Sequence, residues 1–252
     1  MTEPLVGKVI LVTRPGDQAA SLVERLRQLG ATAISAPTIA LQRTHALERL
    51  DEAIEQSAKD EFDWVVFTSA TGVRAWQERA EAMSAGSPKA SVAAIGDSTS
   101  AALRRVGIEP DLVPDPFTSE ALGEAFPAGK GRVLLARADI ATDELERALS
   151  AKGWEPVRVD AYRVLPAAAL PEEARKAIES TDVDAVTFTS PSTVAGYVEL
   201  AIAARRPPAV CIGPVTATAA RRAGFVVAAV ADPHTEDGLI DALVGVLGPG
   251  AG

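Results

Sequence analysis

Two stretches of the chain carry the same polar ending. Asp63 to Val73 reads DWVVFTSATGV, and Asp184 to Val194 reads DAVTFTSPSTV. Each is an apolar run that closes in Phe-Thr-Ser and a small polar turn. Hydroxyls at the end of a buried strand offer donors and acceptors to a ligand, and a helix that follows adds unpaired backbone N–H groups. Thr68-Ser69 and Thr189-Ser190 are therefore candidate ligand contacts. Arg14, after VILVT, and Arg137, after VLLA, occupy matched positions and can bind carboxylates in bidentate fashion. Gly96 and Gly213 end two more apolar runs, AAIG and VCIG, where the missing side chain admits a ligand close to the backbone. Together these residues suit a large anionic ligand held by hydroxyls, amides and guanidinium groups.

Each group has a plainer alternative. Ser and Thr after a strand are favoured helix N-caps, which alone would account for Thr99, Thr216, Thr118 and Thr235. Arg14 and Arg137 would equally form ordinary ion pairs. Strong catalytic signatures are missing. The chain has no G-x-x-x-x-G-K-[ST] loop, no G-x-G-x-x-G after a strand, no G-x-S-x-G elbow, and no paired-carboxylate or histidine site. Two histidines and one cysteine argue against a metal centre of the usual zinc type, and no cofactor is expected. His45 and His234 read as solvated loop residues, Cys211 as a small core residue, and Trp64 and Trp154 as packing groups.

The elements that must position these residues alternate. Val9–Thr13 reads as a buried strand, Ala19–Leu29 as a helix stopped by Gly30, and Ala31–Ala36 as the next strand. Val133–Arg137, a helix over Asp143–Ala151, Gly153 and Val157–Ala161 repeat that β-α-β unit. Helices are expected after each Phe-Thr-Ser, over Val73–Ala82 and Val194–Ala204. DSTSAALRRVG and PVTATAARRAG then align without a gap, as do Pro116–Leu122 and Pro233–Leu239. The chain is a degenerate tandem repeat with a period of about 120 residues. Alternation predicts an α/β fold of two flavodoxin-like, doubly wound parallel sheets. Thr38–Arg43 and Arg163–Ala169 lack helical pattern and read as extended crossovers. One domain is then discontinuous, 1–38 with 167–252, and the other spans 39–166 with both crossovers. Rims facing each other would line one cleft twice. The closing GVLGPGAG reads as a frayed tail.

Composition sets the outer limits. The 252 residues are 47% hydrophobic and 23% charged, as in a globular protein with a sizeable core. A net charge of −9 argues against nucleic-acid binding. No apolar run approaches the roughly 18 residues that span a bilayer, and the N-terminus lacks the pattern of a signal peptide. One cysteine fits a reducing cytoplasm.

VILVTRP, FTSATGV, AIGDSTSAAL, DAYRV, FTSPSTV, CIGPVTATAARRAGF and HTEDGLIDAL, in that order and spacing, resemble the uroporphyrinogen-III synthase family over nearly the whole chain. The resemblance implies a two-domain, cofactor-free lyase of tetrapyrrole and heme biosynthesis. Its substrate would be hydroxymethylbilane, a linear tetrapyrrole rich in carboxylates. Loss of water from ring A would give an azafulvene. Ring D would attack through its substituted carbon, forming a spirocyclic pyrrolenine, and would close again inverted. The resemblance puts Tyr162, in DAYRV, at the position of a proton donor; its repeat counterpart is Ile39. It also points to Thr216 and Thr99 at the catalytic centre, and to Ser69, Ser190 and Ser192 on the substrate. Val215 stands where the family often has a second hydroxyl. A cytoplasmic monomer is expected, with transient contact to hydroxymethylbilane synthase and none to nucleic acid or membrane. The alternatives are a non-catalytic tetrapyrrole- or anion-binding sensor of the same fold, and a two-lobed solute receptor, which the missing signal peptide disfavours. A sensor fused to a DNA-binding module is disfavoured by the chain's end just after its last helix.

Overall fold

The computed structural model of the chain describes residues 3–180, 182–200 and 206–249. In chain order the elements are β1 (Val9–Val12), α1 (Gly16–Gln28), β2 (Thr32–Ser35), β3 (Ile39–Arg43), α2 (Leu47–Ala58), β4 (Trp64–Phe67), α3 (Ala70–Ala82), β5 (Ser91–Ala94), α4 (Asp97–Arg105) and α5 (Ser119–Ala125). They continue with β6 (Arg132–Ala138), α6 (Glu144–Ala151), β7 (Glu155–Pro166), α7 (Glu172–Ser180), β8 (Ala185–Phe188), α8 (Pro191–Glu199), β9 (Ala209–Cys211), α9 (Pro214–Arg222), β10 (Val227–Val230) and α10 (Glu236–Leu247). The last residues of the helix expected over Val194–Ala204, and the end of the expected frayed tail, lie outside the described residues.

Two compact units emerge, one of Met1–Leu41 with Leu165–Gly252 and one of Gln42–Val164. The sheet of the first runs β10-β9-β8-β1-β2, its strand pairs parallel. That is the flavodoxin-like order, in which the second strand of the unit lies outside the first. The sheet of the second runs β3-β7-β6-β4-β5. Its β4-β5, β4-β6 and β6-β7 pairs are parallel. Matched repeat segments take matched places: β6 and β7 stand for β1 and β2, and β4 and β5 for β8 and β9. The counterpart of β10 shrinks to one bridge between Leu112 and Ala93, and β3 adds an edge strand beside β7.

Helices on both faces of a parallel sheet explain the continuous apolar runs, since both sets of alternating side chains are buried. Val65, Phe67, Leu134 and Ala136 fill one layer with Val73, Trp76 and Leu103. Val66, Val133 and Leu135 fill the other with Phe126, Leu145 and Leu149. Trp64, Phe126 and Trp154 stack in series there, and Trp154 Nε1 donates to the Pro127 carbonyl at 2.7 Å. In the first unit Ile10 and Val12 face the layer of Leu22, Leu26 and Leu243, while Leu11 faces that of Phe188, Tyr197 and Phe225.

The stops are as local as the sequence suggests. α1 presents Ala19, Leu22, Val23 and Leu26 to its sheet and ends before Gly30, whose φ of 91° is easy only for glycine. Gly153 repeats this at 96°, and a side chain there would overlap the Gly129 carbonyl. β7 is longer than expected. It runs on through Arg163 to Pro166, where an extended crossover was anticipated; β6 pairs with it as far as Tyr162, and β3 lies on its other side.

Phe67, fully buried, meets Trp76 edge-on with ring centroids 5.6 Å apart. Phe67→Ala is expected to lower stability by about 3–5 kcal/mol, read as a shift of the urea-unfolding midpoint.

Candidate functional site

In a parallel sheet every strand ends at the same edge, so register decides which residues share a rim. Phe67 lies level with Ala94 and Ala136, and Ala138 with Tyr162. Thr68-Ser69, Ile95-Gly96, Arg137 and Tyr162 therefore come together at the carboxyl edge of the second unit. A register shift between Arg137 and Ala138 passes over one residue of β7, Ala161, and re-aims the residues beyond it.

Ser69 is the N-cap of α3. Its extended backbone lets Oγ accept from the Gly72 N–H at 2.9 Å, and the same Oγ lies 3.0 Å from the Tyr162 hydroxyl. Tyr162 is half-buried against the apolar layer below. Burial raises its phenol above the ordinary tyrosine range. The Ser69 hydrogen bond opposes the rise, the Asp139 carboxylate adds to it, and Arg137 and Arg74 oppose it. The phenol therefore keeps its proton at neutral pH. Asp139, at the end of β6, donates its N–H to the Tyr162 carbonyl at 3.1 Å, and its carboxylate accepts from Val164 N at 2.9 Å.

Gly96 and Gly213 are the N-cap residues of α4 and α9, both in extended backbone. Capping thus does not explain Thr99 and Thr216, which sit inside the first turns and are 1% and 4% exposed. Their neighbours Ser100 and Ala217 donate backbone N–H groups to the Gly96 and Gly213 carbonyls at 2.9 and 3.0 Å. A side chain at Gly96 would fall 2.9 Å from Phe117. At Gly213 the corresponding neighbour is the His234 ring, whose Nδ1 lies 2.7 Å from the Ala231 carbonyl. His234 is thus half-buried and seated on the rim of the first unit rather than freely solvated. His45 is exposed and hydrogen-bonded to Arg163. Thr118 and Thr235 do act as N-caps, their hydroxyls accepting from Ala121 N and Gly238 N.

The first unit repeats the arrangement with different chemistry. Ser190 caps α8 in a full capping box with Thr193, and its Oγ lies 2.8 Å from Ser192 Oγ. The fully buried Thr13 donates to the Thr187 carbonyl at 2.6 Å, and Thr38 donates to the Thr193 carbonyl at 2.8 Å. Val215 is 54% exposed in the first turn of α9, so the place of an absent hydroxyl is apolar and open. Cys211 is fully buried in β9, with its thiol pushed up to about 11 by burial.

The two arginines are engaged internally. Arg14 Nη1 meets Glu236 Oε2 at 2.8 Å. Arg137, only 4% exposed, uses Nη1 for the Thr142 carbonyl at 2.8 Å and Glu146 Oε2 at 2.7 Å. The ion-pair alternative accounts for these contacts of both, and Arg137 acts on the rim through its charge and through the loop it ties down. Among the described residues no cluster of His, Cys, Asp or Glu could hold a metal ion, and no helix is long and apolar enough to cross a membrane.

Two residues escaped the sequence reading. Gly72 lies under the Tyr162 ring: a side chain there would stand 3.8 Å from Tyr162 Cε1 and 3.3 Å from both Ser69 Oγ and the Ala136 carbonyl. The signal was available, since its repeat counterpart is Thr193. Asp139 had no such signal, because its role depends on the register of β6 against β7.

Paired flavodoxin-like units, each with hydroxyls and helix N-termini along its carboxyl rim, define a class of two-unit α/β protein suited to anionic ligands. Comparison with known proteins narrows this. The family model described as "Uroporphyrinogen-III synthase HemD" matches residues 20–241. A "Porphyrin biosynthesis protein HemD" of Ruminiclostridium josui is 32% identical over 98% of this chain and 50% of its own length. A "Uroporphyrinogen-III synthase" of Synechococcus elongatus is 33% identical over 79% of this chain and 76% of its own. The chain thus spans about half the length of the first of these relatives. In fold it is similar to a solved mutant uroporphyrinogen III synthase of Thermus thermophilus, at a TM-score of 0.70 and 24% identity over 94% of this chain and 97% of that one. The Helicobacter pylori uroporphyrinogen-III synthetase gives 0.60 at 14% identity, over 95% and 99%. The chain belongs to the uroporphyrinogen-III synthase family.

The raised phenol has a consequence for stability. The unfolded chain ionises its tyrosines near pH 10 while folded Tyr162 resists. Tyr162 therefore contributes stability that is fully present below about pH 10 and is lost as pH rises through the folded value. Urea unfolding at about pH 8 and about pH 11 should show a smaller alkaline loss for Tyr162→Phe than for the wild type.

Proposed function

We propose that the protein closes hydroxymethylbilane to uroporphyrinogen III, with loss of water and inversion of ring D through a spirocyclic intermediate. The observation that carries this reading is the half-buried Tyr162 phenol, which keeps its proton at neutral pH and is bonded to Ser69 on a rim of hydroxyls and amides, in a chain of this family. One rim of this kind is proposed for each of the two domains expected at 1–38 with 167–252 and at 39–166. Ser190 and Ser192, with the amides that follow Gly96 and Gly213, are proposed to hold carboxylates. Arg14 and Arg137 would add positive potential behind them.

The chemistry asks for little acid–base power. The pyrrole nitrogen of ring A pushes electrons toward the hydroxymethyl carbon. Its C–O bond then breaks with the pair going to oxygen, and the Tyr162 proton turns the leaving hydroxide into water. A phenol held above its ordinary range is a weak acid, which is sufficient for a leaving group that departs with such assistance. The resulting azafulvene cation is attacked by the substituted carbon of ring D. The spirocyclic product reopens, and the second closure ends with loss of the ring carbon's proton. Unaided closure gives isomer I, so the protein's task is positional: it must hold ring D for attack at the substituted carbon and keep water from the cation. Thr99 and Thr216, buried in first turns, are proposed to fix the helix ends that face the reacting rings. The protein is further inferred to act as a cytoplasmic monomer on substrate received from hydroxymethylbilane synthase; one buried cysteine supports a reducing compartment.

Hydroxymethylbilane generated in place from porphobilinogen and a deaminase should yield mostly isomer III when this protein is present. Oxidation and chromatographic separation of the isomers read the result. Isomer I alone would sink the proposal and leave a binding role of the same fold. Tyr162→Phe is expected to lower turnover at least several-fold while circular dichroism stays native.

A further inference from the structure

Ser69 does more than cap a helix. One lone pair of its Oγ accepts from the Gly72 N–H at 2.9 Å. That leaves a second lone pair and its own proton for the Tyr162 hydroxyl 3.0 Å away. The cap fixes the rotamer of Ser69, so Oγ is presented to the phenol by a rigid helix start rather than by a mobile loop. Gly72 keeps this contact open, since a side chain there would press within 3.3 Å of Ser69 Oγ. The repeat supplies the contrast. In the first unit Ser190 Oγ turns to Ser192 Oγ at 2.8 Å, Thr193 replaces Gly72, and Ile39 replaces Tyr162. Glycine and tyrosine therefore occur together in one copy and are lost together in the other.

We propose that Ser69 is a positioning residue for Tyr162, holding the phenol oxygen in place and donating a hydrogen bond to the phenolate that remains once Tyr162 has given up its proton. The inference rests on the reading of Tyr162 as proton donor. In the step concerned, the proton moves from Tyr162 Oη to the departing hydroxyl, and the C–O pair leaves with the oxygen as water. Oη keeps its O–H pair as phenolate, and the Ser69 hydroxyl turns to donate to it without transferring its own proton. The phenolate recovers a proton from the ring carbon that closes the macrocycle, so no outside acid or base is consumed. The other charges acting on Tyr162 are Asp139 and Arg137 on β6 and its end, and Arg74 on α3. The Asp139 carboxylate disfavours the phenolate, which leaves the Ser69 hydroxyl and the two arginines to favour it.

The test deletes the hydroxyl while sparing the cap. Glycine is tolerated at an N-cap, so Ser69→Gly is the main variant, Ser69→Ala a second deletion, and Ser69→Thr the restoring control. Alkaline ultraviolet titration of each protein, with the matching Tyr162→Phe background subtracted, isolates Tyr162 from Tyr197. Both deletions should move the Tyr162 midpoint upward, by about threefold or more in ionisation constant, and Ser69→Thr should move it back. In the coupled assay kcat should fall several-fold, with KM within about twofold of wild type and isomer III still the product. A Tyr162 midpoint unmoved in folded Ser69→Gly and Ser69→Ala would overturn the proposal. So would a rise in KM at constant kcat, which would make Ser69 a substrate contact. If Tyr162→Phe leaves turnover intact, the donor reading fails and Ser69's role falls with it. A shifted midpoint would then show only that the hydrogen bond exists.

Discussion

Everything at the candidate site depends on the parallel pairing of short strands. Because β4, β5 and β6 run the same way and Phe67, Ala94 and Ala136 stand level, each chain exit delivers its polar residues to one edge. The apolar runs are buried on both faces, and the polar Thr187 inside β8 is satisfied by the Leu11 carbonyl, so free hydroxyls, glycines and arginines concentrate where the strands end. The helices that follow begin at the same edge, and their first-turn amides add to it. A rim of hydroxyls and helix N-termini is thus a by-product of how such a sheet is wound, present in both units before any residue is specialised.

Specialisation lies in the departures from repetition. Both units keep the Phe-Thr-Ser ending, the cap at its serine, and a glycine at the start of the next helix. Only the second has a phenol over a glycine, on a strand re-aimed by a register shift. The first closes the corresponding space with Thr193 and Thr38, whose hydroxyls bond to backbone carbonyls.

Much of this was legible in the sequence because the signals are local. Apolar runs bounded by Gly30 and Gly153 located strands and helices within a few residues, and Thr118 and Thr235 proved to be caps. The repeat alignment anticipated the flavodoxin-like order in the first sheet. The features that escaped were properties of pairing. Whether Arg137 faces a ligand or Glu146 depends on where α6 lies. The reach of β7 past Tyr162 to Pro166 depends on β3 beside it, and the seat of Tyr162 on Asp139 and Gly72 from other elements. Neither Thr99 nor Thr216 turned out to cap its helix, because the chain leaves β5 and β9 through a glycine that takes the cap position itself.

The pairing of β1 with β8 has a consequence for how the protein is made. Ile10 lies beside Ala185, and Leu11 beside Val186. On the ribosome the first strand must wait while the whole of the second unit is synthesised, and that unit, contiguous in the chain, can complete its sheet first. At about 5–20 residues per second the delay is on the order of ten seconds. Throughout it β1, which belongs inside a sheet, has at most β2 beside it and stands with its other edge unsatisfied. An exposed apolar strand is a template for mispairing. A fragment ending before β8 is therefore a candidate for aggregation rather than for partial function.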